Sequence, residues 1–153
     1  MDALRGLAEL ERRRPDVIAL QEVTQALVDG LLAEPWIQAA YQVSRREVLG
    51  YDVVILSPLP IRRIAEVELL TDMHRRLVVA ELACGLAVAT GHLESTGEEA
   101  RVRAAQLGVL QPALAERYPD VVLVGDMNFQ PDAPIRSARG EPGRGVNDAL
   151  AFI

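Results

Sequence analysis

Four consecutive aliphatic residues, Val121 to Val124, lead straight into Gly125-Asp126-Met127-Asn128-Phe129. A continuous aliphatic run of this kind reads as a strand buried on both faces. The glycine, carboxylate and carboxamide that follow mark where that strand leaves its sheet, and polar groups at such exits commonly serve a site rather than the core. The chain is therefore expected to contain a covered sheet, with its chemistry at the strand tips.

Half of the 153 residues are hydrophobic but only 4% are aromatic, so the core must be built from Val, Leu, Ile and Ala. That supply suits interlocking helices and strands, an α/β class in one domain spanning 1–153, better than an aromatic-rich sandwich. The formal charge of -6 argues against a non-specific grip on a nucleic-acid backbone, which needs a basic surface. A phosphate substrate stays compatible if clustered acids recruit a divalent cation, because the bound cation reverses the local field. Cys84 is the sole cysteine, which excludes an intrachain disulfide and a Cys-based zinc cluster. Met1 to Arg14 is charged throughout, unlike a signal peptide, and no apolar stretch approaches the roughly 18 residues of a membrane span. A soluble cytoplasmic protein is expected.

Apolar positions at Leu4, Leu7, Ala8 and Leu10 predict a helix over Asp2 to Arg13, stopped by Pro15. Asp16 to Leu20 reads as a strand ending in Gln21-Glu22, and Thr24 as the cap of a helix through Leu32. Between Trp36 and Leu93 short β-like segments follow at Ile37–Val43, Asp52–Leu56, Ile64–Leu70, Leu77–Leu82 and Leu86–His92. Turn residues punctuate them at hairpin spacing, which predicts antiparallel or mixed pairing rather than a regular doubly wound sheet. Ser95 or Thr96 can cap a long helix with Glu98 and Glu99 in its first turn and Val102, Leu107, Leu110 and Leu114 on its apolar face. After the Gly125 tip, a Pro/Gly/Arg-rich connection over Gln130–Arg144 and a short helix-like close over Val146–Phe152 complete the chain.

Three strands thus end in polar tips: Gln21-Glu22, Gly91 to Ser95, and Gly125 to Asn128. Taken singly, each has an ordinary structural explanation as a cap partner, a hydrogen-bonded histidine or turn chemistry. Together they supply what metal-assisted phosphoryl chemistry requires. Mg²⁺ takes hard oxygen ligands and often only one or two protein carboxylates, which Glu22 can provide. Asp126 can orient or deprotonate a water, Asn128 can hold that water or the phosphate, and His92 can stabilise charge on a phosphoryl oxygen.

The strand before Gln21-Glu22-Val23, the segment Gly50 to Ser57 with Pro60-Ile61, the tip Gly91 to Thr96, and Gly125-Asp126-Met127-Asn128-Phe129 occur in the order seen in the endonuclease/exonuclease/phosphatase superfamily, which the chain resembles over nearly its whole length. Within it, His92-Leu93-Glu94-Ser95-Thr96, Arg103 to Leu107 (Arg-x-x-Gln-Leu) and Met73 to Leu77 (Met-x-Arg-x-Leu) are similar to the 5′-tyrosyl-DNA phosphodiesterase branch. The resemblance implies a four-layer αββα sandwich of DNase I-like fold with Mg²⁺ or Mn²⁺ at the strand tips. Glu22 would be the metal ligand, Asp126 and Asn128 the water- and phosphate-handling pair, and His92 with Ser95 the phosphate contacts. The superfamily usually opens with a strand ending in a metal-site Asn and closes with Ser-Asp-His. Neither is found here, so a domain truncated at both ends is expected.

Other residues carry two readings. Arg75 and Arg103 can meet phosphates or serve structure, whereas Arg76 and Arg101 are expected in structural pairs. Trp36 is expected in the core; Tyr51 and Phe129 can stack or pack. His74 is expected on a loop, and Asp52 either adjusts the site or faces solvent. The functional expectation is a Mg²⁺-dependent phosphodiesterase acting on a phosphoester, with DNA or a protein-DNA adduct among its substrates. The alternative is a catalytically inactive fragment that binds a partner or metal without turnover. A dinucleotide-binding module would need a Gly-x-Gly-x-x-Gly loop that the chain lacks.

Overall fold

The computed structural model describes residues 3–95 and 100–129. The first helix, α1 (Ala3–Arg13), carries Arg12 and Arg13 in its last turn, where cations complement the helix dipole. Pro15 cannot continue it. Strand β1 (Ile18–Val23) leads to Thr24, whose extended backbone and Oγ1, accepting from Leu27 N at 3.4 Å, cap α2 (Gln25–Ala33).

The segment expected as a strand over Ile37–Val43 is instead a short helix, α3 (Pro35–Ala40), followed by a two-residue strand, β2 (Gln42–Val43). Pro35 at the first helical position presets φ and lacks only an N–H that would be unpaired there anyway. Ile37 is buried, and Trp36 meets Tyr41 edge-to-face with ring centres 5.6 Å apart. An apolar run this short does not distinguish a strand from a buried helical turn.

Strands β3 (Asp52–Ser57), β4 (Ile61–Glu68), β5 (Arg76–Leu82) and β6 (Ala87–His92) follow. The hairpin between β5 and β6 turns at Gly85, whose φ of 97° suits glycine, beside the exposed Cys84. Helix α4 (Ala100–Ala115) then crosses to β7 (Val121–Asp126). Its buried face is Arg103, Gln106, Leu110 and Leu114, so two polar residues occupy helical positions beneath the site end. Thr96, Glu98, Glu99 and the segments over 130–144 and 146–152 lie outside the described residues.

Two sheets result. One has the order β1-β3-β2, wholly antiparallel, and the other β4-β5-β6-β7, antiparallel except for the parallel pair β6-β7. Successive side chains of a strand point to opposite faces, and β3 and β5 are buried along nearly their whole length because each is covered on both. Val54 and Leu56 face the layer of α2 and α3 with Val28, Leu31 and Ile37. Val53 and Ile55 face Val78, Ala80 and Val88 between the sheets. Leu77, Val79 and Ala89 face Leu110 and Leu114 of α4. The order of layers is α, β, β, α.

Polar contacts also join the sheets. Gln21 Nε2 donates to Thr90 Oγ1 at 2.9 Å, and Ile61 N donates to Gln42 Oε1 at 2.8 Å. Asp52, 5% exposed, does not face solvent. Its carboxylate pairs with Arg45 Nη1 at 3.1 Å and Arg76 Nε at 3.5 Å, and both arginines also pair with Glu66. Loop, β3, β4 and β5 are thereby tied by one charge network.

Strand β7 departs from the expectation of burial on both faces. Val121 and Leu123 pack under α4, but Val122 and Val124 are 44% and 38% exposed. They continue the inter-sheet face of Val88 and Thr90, their partners in β6. Gly125, at φ 149°, is a place where only glycine fits: a Cβ there would stand 2.1 Å from Gly91 O of the adjacent strand. Gly125→Ala is expected to destabilise the protein by about 2 kcal/mol or more through that clash. Val122→Thr, at an exposed position, is expected to stay within about 0.5 kcal/mol. Urea denaturation of both variants checks the contrast.

Candidate active site

The parallel register of β6 and β7 pairs Gly91 with Gly125 and His92 with Asp126. Beyond it the two chains stay clamped: Leu93 N donates to Asp126 O at 2.9 Å, and Asn128 Nδ2 donates back to Leu93 O at 2.8 Å. Asp126 Oδ1 accepts from Asn128 N at 2.9 Å, an Asx turn that holds Asn128 at φ 52°. The Asn128 side chain thus fixes the tip through its amide N–H₂, leaving its carbonyl oxygen as the group with room for another partner. Asp126 remains 55% exposed at the mouth.

Glu22 arrives from the other sheet. In the β1-β3 ladder Leu20 pairs with Val54 and Val23 with Asp52, so Gln21 and Glu22 together face Val53 alone. This β-bulge places Glu22 at φ 55°, in the left-handed region, with its side chain exposed. Gln21, next to it, bonds Thr90 on β6 and holds the bulge against the second sheet.

His92 is 3% exposed. Its Nε2 lies 3.9 Å from Asp126 Oδ2, beyond hydrogen-bonding distance, and its Nδ1 is 2.7 Å from Arg75 Nη1. Burial, and then the positive charge of Arg75, push the imidazole pKa below its ordinary value against the opposing pull of Asp126, Glu22 and Glu94. The tips of both sheets therefore act electrostatically on this one ring. Ser95 is exposed, with Oγ 3.3 Å from Met73 Sδ and 3.5 Å from Arg75 Nη2. A narrow cleft beside the ring is lined by Tyr51, Asp52, His74, Arg75 and Arg76. A wider, shallow depression at Ser44, Arg45, Glu47 and Glu66 contains none of the polar tips.

Two residues take their roles from the three-dimensional arrangement. Arg75 stands in the site against His92, and Glu94, within the polar tip, is buried. The Glu94 carboxylate accepts from Thr71 Oγ1 at 2.7 Å and Asp72 N at 3.2 Å, and Gln106 brackets it from α4. Glu94 N donates to Gln106 Oε1 at 3.0 Å, and Arg103 Nη1 donates to Glu94 O at 2.9 Å. Arg103 and Gln106 are thus structural partners of the tip, and the similarity of the Arg-x-x-Gln-Leu stretch was the signal for them. Arg76 belongs to the Asp52 network. Arg101, His74, Tyr51 and Phe129 are exposed.

Glu22 is an exposed hard-oxygen donor at a strand end, and Mg²⁺ needs only one or two protein carboxylates. Among the described residues no group of three or more His, Cys, Asp or Glu side chains is placed to hold a metal ion. A cation held through Glu22 would keep waters and substrate oxygens in the rest of its shell.

A two-sheet α/β sandwich with acidic, amide and imidazole groups gathered at its strand tips has the plan of the DNase I-like hydrolases. Residues 3–145 match the Endonuclease/Exonuclease/phosphatase family, and the chain belongs to that family. Among solved structures, TDP2 from D. rerio in complex with a single-strand DNA product is 28% identical, with TM-score 0.74 over 82% of this chain and 53% of that one. TDP2 from C. elegans is 25% identical, with TM-score 0.67 over 83% of this chain and 42% of that one. The human Nocturnin catalytic domain with a bound sulfate anion is 17% identical, with TM-score 0.66 over 85% and 57%, and shares the fold. The chain spans about half the length of the TDP2 structures it matches. No curated protein matches it in sequence. Among the described residues no helix is long and apolar enough to cross a membrane.

The lowered His92 pKa has a thermodynamic consequence. The unfolded imidazole takes up its proton near pH 6.5, whereas the folded one does so only at lower pH. The stability tied to the neutral ring is fully present above that unfolded value, and falls as pH drops below it because the unfolded state then binds more protons. His92→Gln is expected to lose less stability than the unsubstituted protein between pH 7 and 5.5, measured by urea titration at both pH values.

Proposed function

We propose that the chain carries the core of a divalent-metal-dependent phosphoester hydrolase site, made of Glu22, His92, Ser95, Asp126 and Asn128. The observation that carries this reading is the convergence of the tips: β6-β7 register sets His92 opposite Asp126, and the β1 bulge directs Glu22 from the facing sheet. Glu22 would hold Mg²⁺ or Mn²⁺, which when bound supplies positive charge to the phosphoryl oxygens. Asp126 orients a water and accepts its proton as the water oxygen bonds to phosphorus and the ester P–O bond breaks; the leaving oxygen is protonated from solvent. Asn128 steadies the exposed end of the tip, and His92 and Ser95 contact phosphoryl oxygens. The likeness to TDP2, one structure of which holds a single-strand DNA product, supports DNA or a protein-DNA adduct as the substrate class.

A second reading rests on the exposed Val122 and Val124: a chain that folds and binds a partner or metal at these tips without turnover. Hydrolysis of bis-p-nitrophenyl phosphate with Mg²⁺ or Mn²⁺ decides between them. Turnover is expected, lost by about 100-fold or more in Asp126→Ala and in Glu22→Ala while circular dichroism is unchanged. A folded, metal-binding protein with no turnover selects the second reading.

A further inference from the structure

We infer that Arg75 is a positioning residue for His92: its guanidinium fixes the imidazole as the neutral tautomer with its proton on Nε2, so that His92 meets a phosphoryl oxygen as a hydrogen-bond donor. The second half of that statement rests on the hydrolase reading above; the tautomer itself does not.

A guanidinium has N–H donors and no acceptor. Arg75 Nη1 stands 2.7 Å from His92 Nδ1, so that nitrogen must present its lone pair. The only ring proton then sits on Nε2, which faces the Asp126 carboxylate at 3.9 Å and the mouth of the site. An imidazolium would carry a proton on Nδ1 and lose the contact. Carboxylates surround the ring: Glu22 from β1, Asp126 from β7 and Glu94 just past β6 all favour its charged form, whereas Arg75 opposes it. Across the cleft Asp52 and Arg76 are ion-paired with each other.

The placement of Arg75 is built rather than incidental. Its Nε is buried and finds no acceptor among the described residues, and its Nη2 reaches only Ser95 Oγ at 3.5 Å and Met73 Sδ at 3.6 Å, so the 2.7 Å approach to His92 is the close contact of the guanidinium. The loop that carries it hangs from the buried Glu94. That carboxylate takes Thr71 Oγ1, and Thr71 Oγ1 in turn accepts from Met73 N at 2.9 Å and Arg75 N at 3.2 Å. His74, at φ 58°, then turns the backbone, and Arg75 goes to His92 while Arg76 goes to Asp52 and Glu66.

The test is long-range ¹H–¹⁵N correlation of the imidazole nitrogens in the full chain. It holds only two histidines, and His74→Gln identifies which signals belong to His92. The expected result is an unprotonated Nδ1 and a protonated Nε2 between pH 8 and 6.5. Arg75→Met should convert His92 to a tautomer mixture or to imidazolium at the same pH, with kcat on the chromogenic diester lowered about tenfold, and Arg75→Lys should restore much of the Nε2–H signature. A proton on Nδ1 in the unsubstituted protein overturns the inference whatever the variants do. So does an Arg75→Met protein with dispersed amide signals and unmoved ring nitrogens. An Nε2–H ring in a chain without turnover would remove the hydrolase reading and support the tautomer assignment.

Discussion

The parallel contact between β6 and β7 is the constraint on which the rest depends. It requires two strands to approach closely at Gly91 and Gly125, where a side chain on the second glycine would overlap the carbonyl of the first. Only with that approach do His92 and Asp126 become partners in register, and only then can Leu93 and Asn128 exchange the two bonds that close the tip. The crossover through α4 follows from it as well, since parallel neighbours cannot be joined by a tight turn. Arg103 and Gln106 of that crossover in turn fasten the segment after His92. A backbone packing requirement thus fixes the geometry of the chemistry.

Polar groups in this protein do positional work that its aliphatic core cannot. Valine, leucine and isoleucine fill three layers but are interchangeable enough that they set spacing more than alignment. Alignment comes from directed contacts: Gln21 on Thr90, Gln42 on the Ile61 amide, Asp52 between two arginines, Glu94 under the loop of Thr71 and Asp72. Each sits where two elements meet, and for Thr90, Asp52 and Glu94 sliding apart would leave a buried polar group unsatisfied, which makes sliding costly. The two sheets are held in the one arrangement that brings β1 over β6 and β7.

Much of this was legible in the sequence because strand tips announce themselves by a switch from aliphatic to polar residues. Glu22, His92, Asp126 and Asn128 all stand at such switches, and the structure brings their strands to one end of the sandwich. Three things were not legible, for three reasons. The run at Ile37 is too short for its period to separate helix from strand, and Pro35 decided it. The exposure of Val122 and Val124 depends on what lies over that face of β7, which no local pattern records. The contacts of Glu94 and Arg75 leave no local signature, because their partners lie 23 and 17 residues away along the chain. The aliphatic run that first pointed to a fully covered strand is therefore a good marker of the sheet and a poor marker of its cover.

The left-handed backbone at Glu22 and Asn128 carries an implication for which side chains such a site can hold. At φ near 50° glycine is the least strained residue, asparagine and aspartate are tolerated, and glutamate is not favoured. Asn128 suits its conformation, but Glu22 occupies one that conformational preference alone would give to glycine. Replacing Glu22 by glycine would relieve that strain while erasing the carboxylate. At Glu22 backbone comfort and the presence of a carboxylate therefore make opposite demands.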